Sequence, residues 1–273
     1  MMKWRSQVLP DGEMIEDKKI IAIIQARMTS SRLPGKVMKD IAGHPMIFHV
    51  VNRVRESNLI DQVIIATTTE QTDIEIVSYC HDNQIACFRG HPFDVLDRFY
   101  HAALENNADV IVRITADCPL MDANLIDELI QDFFVSGVDF AANRLPPPWK
   151  RSYPIGLDIE IATFSALERA WQEAESTFER EHVMPYLYDQ PGRFKVLVKH
   201  HDPDYGARRL TVDTPQDLEF VRKIFDHFSP SVDFSWLDVM EYLNANPHLE
   251  SINAMINAKN VRDIDNRFSE GKK

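Results

Sequence analysis

The sequence lacks the features that mark several large classes of protein. It has no run of about 18 consecutive apolar residues, the length that a membrane-spanning helix needs, so we expect no membrane span. Three cysteines (Cys80, Cys87 and Cys118) form no CxxC pair, and this sparse, odd set is typical of a reducing compartment such as the cytoplasm. Cations are outnumbered, with 30 Lys and Arg against 42 Asp and Glu. The resulting net charge of −12 argues against general binding to nucleic acid or to an anionic membrane.

Two common nucleotide-binding motifs are also missing. A Walker A loop ending at Gly35 would need a glycine where Ser30 stands and a Ser or Thr where Val37 stands. No GxGxxG occurs, which disfavours a dinucleotide site. Residues 1–18 lack the apolar stretch of a signal peptide, and we expect them to form a flexible extension.

Hydrophobic patterning alternates between short apolar runs and segments of helical periodicity. Strands are predicted over residues 19–25, 62–68, 85–89, 110–115, 138–142, 157–161, 194–199 and 209–212. Helices are predicted over residues 45–57, 73–83, 94–106, 124–136, 179–188 and 216–228, with another starting at a capping box over residues 165–168. The alternation predicts a mainly parallel sheet with helices on both faces, over residues 19–228. A helical tail, residues 229–273, follows.

The loop after the first predicted strand is rich in groups that bind phosphate. Three cations lie within ten residues: Arg27, Arg32 and Lys36. Such a loop can direct guanidinium, ammonium and backbone N–H groups at a polyphosphate. A solvated basic loop is the alternative. The cluster stands at the carboxyl end of a strand in an acidic protein, where open α/β sheets bind ligands, and this favours the phosphate interpretation.

Two aspartates also follow predicted strands at the same edge of the sheet. Asp117 follows the strand predicted over residues 110–115, and Asp213 follows the strand predicted over residues 209–212. Such a pair suits Mg²⁺, which takes a few protein oxygens and keeps water and phosphate as its other ligands. The alternative for each aspartate is a turn or N-cap role, which we assign to Asp122 and Asp217. Cys118 is interpreted as a small buried residue.

Four segments together resemble the sugar cytidylyltransferases over about residues 19–228. The opening motif is Ala26-Arg27-x-x-Ser30-x-Arg32-Leu33-Pro34-Gly35-Lys36. The other three resemble the SpsF-type branch: residues 153–160 (YPIGLDIE), 180–186 (REHVMPY) and 210–217 (LTVDTPQD). The resemblance implies a three-layer α/β/α, Rossmann-like nucleotidyltransferase fold (GT-A-like) with a mostly parallel mixed sheet. It also implies a homodimer that transfers CMP from CTP to a sugar or acid sugar for cell-surface polysaccharide.

The resemblance assigns roles to individual residues. Asp117 and Asp213 would hold the catalytic Mg²⁺, while Arg27, Arg32 and Lys36 would stabilise the transferred phosphate and the leaving pyrophosphate. The nucleotide would further contact the loop residues Ala26, Ser30, Ser31 and Gly35.

Three more predicted contacts with the nucleotide and four with the acceptor lie outside the loop. Thr67 and Thr68, at the end of a strand, are candidates for the base or ribose, with ordinary strand-end threonines as the alternative. The resemblance places Arg98 near the nucleotide; a surface cation paired with Asp94 is the alternative. Acceptor contacts are predicted for Glu160, Arg180, Glu181 and His182. Burial of Glu160 would require a partner, and His182 is equally consistent with a packing role.

Two other functions remain open from the residues alone. A GT-A glycosyltransferase with a nucleotide-sugar donor has a similar sheet, but its DxD motif would need an aspartate where Thr115 stands before Asp117. A non-catalytic nucleotide-binding protein would not need the full set of metal aspartates and loop cations.

Overall fold

A computed structural model of the protein describes residues 15–146, 148–231 and 233–256. The strands are β1 (Ile20–Gln25), β2 (Asp40–Ile41), β3 (His44–Pro45), β4 (Gln62–Thr68), β5 (Ala86–Gly90), β6 (Val110–Thr115), β7 (Phe140–Ala142), β8 (Glu160–Thr163) and β9 (Val196–Val198). The α-helices are α1 (Met46–Arg55), α2 (Ile74–Asp82), α3 (Val95–Glu105), α4 (Ala123–Ser136), α5 (Phe164–Glu173), α6 (Thr177–His182), α7 (Pro185–Tyr188), α8 (Pro215–Phe228) and α9 (Trp236–Ala245).

The central strand β1 carries the hydrophobic sequence IIAIIQ, and its first five residues are completely buried. It pairs in parallel with β4 on one side and β6 on the other. At its last residue, Gln25 lies opposite Ala66 of β4 and Thr115 of β6. The loops that follow these three strands therefore open at one edge of the sheet, which is where the predicted site residues were expected.

The sheet is mixed, as predicted. Its order is β5-β4-β1-β6-β8-β7-β9, and β2 and β3 form a separate hairpin. Strand β8 runs antiparallel to both β6 and β7, while the other pairings in the sheet are parallel. This order places Glu160 of β8 directly opposite Arg113 of β6.

Alternate residues of β1 enter two hydrophobic cores, one on each face of the sheet. Ala22 and Ile24 pack with apolar residues of α1, α2, α4, α8 and α9. Ile21 and Ile23 pack with those of α3, α5 and α7. Because side chains alternate along a strand, a strand covered on both faces must be apolar throughout. The result is the predicted three-layer α/β/α architecture.

Two predicted helix boundaries were wrong. Helix α5 begins at Phe164 with Thr163 as its N-cap, so no capping box starts at Ser165. The single helix predicted over residues 179–188 is two helices, because Val183 has a φ of 72° and the N–H of Met184 donates to His182 O in a γ-turn. Pro185 then starts α7, where its missing N–H costs nothing.

The strand predicted over residues 209–212 is also wrong, since only Arg209 forms a bridge, to Ile155. Glycine at position 156 brings the two segments together. Its φ is +106°, and a Cβ there would lie 2.5 Å from Thr211 N. Strands predicted over residues 157–161 and 194–199 are shifted or shorter, as β8 and β9.

The described part of the predicted tail belongs to the same core as the sheet. Trp236, Val239 and Leu243 of α9 are buried in the core that contains α8. Residues 1–14 and 257–273, the outer parts of the predicted extension and tail, lie outside the described residues. None of the helices in the described ranges is both long and apolar enough to cross a membrane.

Candidate active site

The loop of residues 26–36 folds back on itself at the carboxyl edge of the sheet, and we call it the phosphate loop. The N–H of Ala26 donates to Ala66 O at 3.1 Å, which extends the β1–β4 ladder by one residue. The N–H of Gly35 then donates to Met28 O at 2.8 Å and closes the loop. Gly35 has a φ of 67°, a conformation that favours glycine, and it directs the chain so that Lys36 points inward.

Lys36 joins the two predicted metal aspartates. Its Nζ donates to Asp117 Oδ2 at 2.7 Å, to Asp213 Oδ1 at 2.9 Å and to Val212 O at 3.0 Å. The separation in sequence is 81 residues to Asp117 and 177 to Asp213, so the contact is created entirely by the fold. The prediction that these three side chains converge is confirmed.

The charges of the three groups stabilise one another. Burial would lower the pKa of Lys36, but Asp117 and Asp213 outweigh it and the pKa is raised. Burial would likewise raise the pKa of Asp213; Lys36, Arg209 and Arg32 outweigh it and hold that pKa well below its usual range. At neutral pH the ammonium group of Lys36 and the carboxylate of Asp213 are therefore both charged.

Asp213 is surrounded by cations. Arg32 of the phosphate loop lies 2.8 Å from its Oδ2, and Arg209 donates to the same oxygen at 2.7 Å. Arg209 also binds Asp217, which is completely buried and accepts the N–H groups of Asp213 and Thr214. Asp217 thus has the helix-start role that we predicted, and it also orients the segment carrying Asp213.

Arg209 is a site residue that the sequence analysis missed. The sequence did contain a signal, since an arginine and an aspartate four residues apart can form an ion pair. The strand predicted over residues 209–212 would have held the two side chains apart. In the irregular segment that exists instead, the guanidinium group lies between Asp213 and Asp217.

Asp117 is fixed by its own strand and by the segment before Asp213. Its Oδ1 accepts from Thr115 Oγ1 at 2.6 Å, and its carbonyl accepts from Val212 N at 2.9 Å and from Thr211 Oγ1 at 3.0 Å. Cys118 is buried next to it, and burial raises the pKa of its thiol. The prediction of a small buried residue is confirmed.

The two carboxylates suit a divalent cation that retains phosphate and water ligands. Both Asp117 and Asp213 face one position, which the ammonium group of Lys36 now fills at hydrogen-bonding distance. In the part of the chain that the structure describes, no three His, Cys, Asp or Glu side chains form a metal-binding group. The donor set therefore fits Mg²⁺ bound together with a triphosphate and does not fit a metal held by the protein alone.

The threonines at the end of β4 have a role other than the predicted contact with the nucleotide. Thr67 and Thr68 are completely buried, and both hydroxyl groups donate to Asp73 Oδ2. This agrees with the alternative of ordinary strand-end threonines, and the predicted contact with base or ribose stays a prediction. A strand-end threonine can serve a carboxylate of the protein as readily as a nucleotide.

Arg98 is buried and is not the surface cation of the alternative interpretation. Its Nη1 donates to His91 O at 2.9 Å, whereas its buried Nε has no hydrogen-bond partner among the described residues. Burial, together with the nearby charge of Arg27, lowers its pKa to about 10. Asp94, the expected partner, instead binds Arg180 at 2.6 Å.

The predicted acceptor residues are divided between two places. Arg180 links α6 to α3 through Asp94 and to the carbonyl of Trp171, so it holds α6 in position. Glu181 and His182, on the same helix, are half-buried, and the ring of His182 packs on Phe178 at 4.9 Å.

Glu160 is buried on β8 and forms an ion pair with Arg113, the partner that its burial required. Arg113 also donates to Gln25 Oε1 at 2.9 and 3.1 Å. Nearby, Arg151 forms an ion pair with Asp158. Burial would raise the pKa of Asp158, but the charges of Arg151, Arg144 and Arg113 outweigh it and the pKa is lowered.

The other loop residues predicted to contact the nucleotide differ in exposure. Ala26, the first residue of the phosphate loop, is buried, whereas Ser31 is exposed. Ser30 Oγ accepts from Leu33 N at 3.4 Å.

Comparisons with known proteins agree on one family. A sequence model described as cytidylyltransferase matches residues 21–252. The chain is 36% identical over 250 residues to the uncharacterized protein MJ1063 of Methanocaldococcus jannaschii, covering 90% of this chain and 99% of the relative. It is 33% identical over 246 residues to the spore coat polysaccharide biosynthesis protein SpsF of Bacillus subtilis, covering 84% and 95%. Among solved structures, a cytidylyltransferase from Leptospira borgpetersenii superimposes with a TM-score of 0.80 at 32% identity, covering 89% of this chain and all of that one.

Proposed function

Because the chain belongs to the cytidylyltransferase family, whose members are nucleotidyltransferases, we propose that it transfers CMP from CTP to a sugar or acid-sugar acceptor. The biological role would be the assembly of a cell-surface polysaccharide, since the relative from Bacillus subtilis is named for spore coat polysaccharide biosynthesis. One observation carries the proposal: Lys36 of the phosphate loop meets Asp117 and Asp213 within 3 Å.

The reaction requires charge neutralisation and positioning more than covalent chemistry. An acceptor oxygen attacks the α-phosphorus of CTP, the new P–O bond forms, and the bond to the bridging oxygen breaks to release pyrophosphate. Arg27, Arg32 and Lys36 would bind the phosphate oxygens and stabilise the negative charge that develops on the leaving group. Asp213 and Arg209 would keep the cations of the loop in place until CTP binds.

Mg²⁺ is the cofactor that these residues fit. Asp117 and Asp213 would hold it, and when bound it would neutralise phosphate charge at the reacting centre. Since Lys36 lies between the same two carboxylates, its ammonium group must leave them when the cation binds. Lys36 is then available to the phosphates.

The acceptor would bind beside β6 and β8. The charge of Arg144 acts on Asp158 and on Tyr188, the residue that Glu160 and Arg113 also influence. A cation beside the ion pair of Arg113 and Glu160 suits an acceptor with a carboxylate or phosphate group. The predicted acceptor contacts of Arg180, Glu181 and His182 of α6 are retained as further candidates for orienting the acceptor.

A panel of nucleotides tests this function. The protein is incubated with Mg²⁺, each of the four ribonucleoside triphosphates and a set of sugars and acid sugars, and pyrophosphate is measured. We expect pyrophosphate with CTP and a sugar or acid sugar. Release of a nucleoside diphosphate from a nucleotide-sugar would instead support the glycosyltransferase, and no product with any donor would support a non-catalytic role.

Lys36→Ala should lower the rate of pyrophosphate release by about a hundredfold or more, because it removes the charge nearest the phosphates. Lys199→Ala is a matched control: Lys199 also bridges two carboxylates, those of Glu128 and Asp132, but outside the site. Its rate should equal that of the wild type. An unchanged rate for Lys36→Ala would refute the role of Lys36.

Two further properties are proposed on other grounds. Free thiols at Cys80, Cys87 and Cys118 suit a cytoplasmic enzyme, and localisation of a tagged full-length chain would test this. A homodimer is proposed from the resemblance to the sugar cytidylyltransferases, and sedimentation velocity would measure it.

A further inference from the structure

Asp73 is a buried carboxylate that ties the phosphate loop to the end of β4. Its Oδ1 accepts from the N–H of Met28 at 2.8 Å. Its Oδ2 accepts from the hydroxyl groups of Thr67 and Thr68 at 3.0 and 2.5 Å and from Thr68 N at 3.1 Å. Asp73 is completely buried, so it cannot contact a ligand directly. Its four accepted hydrogen bonds satisfy the charge that burial would otherwise penalise.

Met28 is the point at which this anchor controls the loop. Its N–H is held by Asp73, and its carbonyl accepts the N–H of Gly35, the residue before Lys36. Arg27 precedes Met28 directly. The position of Met28 therefore fixes Arg27, its neighbour at the start of the loop. Through the hydrogen bond between Gly35 and Met28, it also fixes Lys36 at the end of the loop.

The charge of Asp73 has a second effect on the same loop. Burial and the nearby charge of Arg27 lower the pKa of Arg98, and Asp73 is among the carboxylates that oppose this shift. The charge of Asp73 thus offsets positive charge beside the loop.

We propose that Asp73 is the positioning residue of the phosphate loop, which places Arg27 and Lys36 for the triphosphate through the backbone of Met28. This inference rests on the proposed function, because it takes CTP as the ligand of the loop. A purely structural role for Asp73 is the alternative, and the two roles affect different quantities.

The test compares Asp73→Asn with the wild type by isothermal titration calorimetry, with CTP and Mg²⁺ as the probe. An amide can accept on only one side, so one end of the anchor is lost while the side-chain shape is kept. Misplacement of the loop weakens binding in every molecule and raises Kd. Loss of folded protein instead lowers the measured stoichiometry and leaves Kd unchanged.

Asp127→Asn is the matched control. Asp127 is a buried carboxylate of α4 that likewise holds a turn through four hydrogen bonds, from Ser57, Asn58 and Leu59. We expect a Kd about tenfold weaker for Asp73→Asn, the loss of one charge-assisted hydrogen bond, and a Kd within about twofold of the wild type for Asp127→Asn. A Kd for Asp73→Asn within about twofold of the wild type would overturn the inference.

A second measurement covers the case in which Asp73→Asn does not fold. In the wild type, the Met28 amide should exchange its hydrogen about a hundredfold more slowly than the same amide in an unstructured peptide of this sequence. Equal exchange rates would show that the anchor does not hold the loop, and would contradict the inference. A wild type that binds no CTP would refute the proposed function instead, whatever the Met28 amide does.

Discussion

At the scale of single residues, the ammonium group of Lys36 occupies the position where two carboxylates would hold a metal ion. It satisfies both Asp117 and Asp213, which would otherwise repel each other across a partly buried site. A divalent cation must therefore compete with a charge that is already well placed. The phosphates of an incoming nucleotide would relieve this competition, because they would offer Lys36 new partners and supply further ligands to the metal.

This competition predicts how the nucleotide-free protein binds metal. Lys36→Met keeps the apolar stem and removes the charge, so we expect its affinity for Mn²⁺ without nucleotide to be about tenfold higher than that of the wild type. Electron paramagnetic resonance of free Mn²⁺ measures this affinity. Lys199→Met, at the other two-carboxylate lysine, tests whether a gain is specific to the site. Equal affinities for Lys36→Met and the wild type would show that Lys36 does not compete with a metal ion at Asp117 and Asp213.

The site residues that follow parallel strands could be predicted from the sequence. Lys36 and Asp117 follow buried strands, and strand ends of a parallel sheet share one edge. Asp73 follows β4 at the same edge and was within reach of that rule. Thr67 and Thr68 were assigned to the nucleotide because the sequence does not reveal that Asp73 takes both hydroxyl groups. Which of two acceptors a hydroxyl group serves depends on tertiary contacts.

At the scale of elements, the irregular segment that carries Asp213 depends on Gly156. Ala at this position would need a φ of +106° and would place its Cβ 2.5 Å from the backbone of Thr211. We expect Gly156→Ala to lower the free energy of unfolding by about 2–4 kcal/mol and to reduce pyrophosphate release, because the segment must move away. Urea denaturation and the pyrophosphate assay measure the two effects.

Gly192→Ala separates backbone strain from the close approach. Gly192 also has a positive φ, +85°, but a Cβ there would meet nothing within 4 Å. Its cost should be about 1 kcal/mol with unchanged activity. If both glycine variants behaved alike, the packing of residue 156 against Thr211 would not be what positions Asp213.

Elements with strong periodicity were predicted well, and those defined by tertiary pairing were not. Strands β4 and β6 have the predicted bounds, since their apolar runs are covered on both faces. Residues 209–212 read as a strand because they are apolar and β-branched in part, but their backbone pairs with an irregular partner around Ile155. The break at Val183 depends on how α6 and α7 pack against the rest of the protein. The sequence around Val183 does not contain this information.

At the scale of the whole molecule, the described part of the predicted tail is structurally part of the nucleotidyltransferase domain. Asp122, the N-cap of α4, also accepts the N–H of Trp236 at 2.9 Å. Arg53 of α1 donates to Phe234 O at 2.6 Å and lies over the ring of Phe234. The boundary predicted at residue 229 followed the extent of the family resemblance, about residues 19–228, whereas apolar side chains beyond it pack in the same core as α8.

Trp236→Ala tests whether α9 and the sheet unfold together. Trp236 is buried in the core shared with α8, so we expect the substitution to lower the free energy of unfolding of the whole protein by about 3–5 kcal/mol. Far-UV circular dichroism in urea follows the whole fold, and one shifted transition is the expected result. Leu237→Ala, at the next residue, is the control: Leu237 is 50% exposed and should cost less than about 1 kcal/mol. If the tail folded independently, Trp236→Ala would leave the main unfolding transition unshifted. The lost packing of residue 236 would then not destabilise the strands that carry the site.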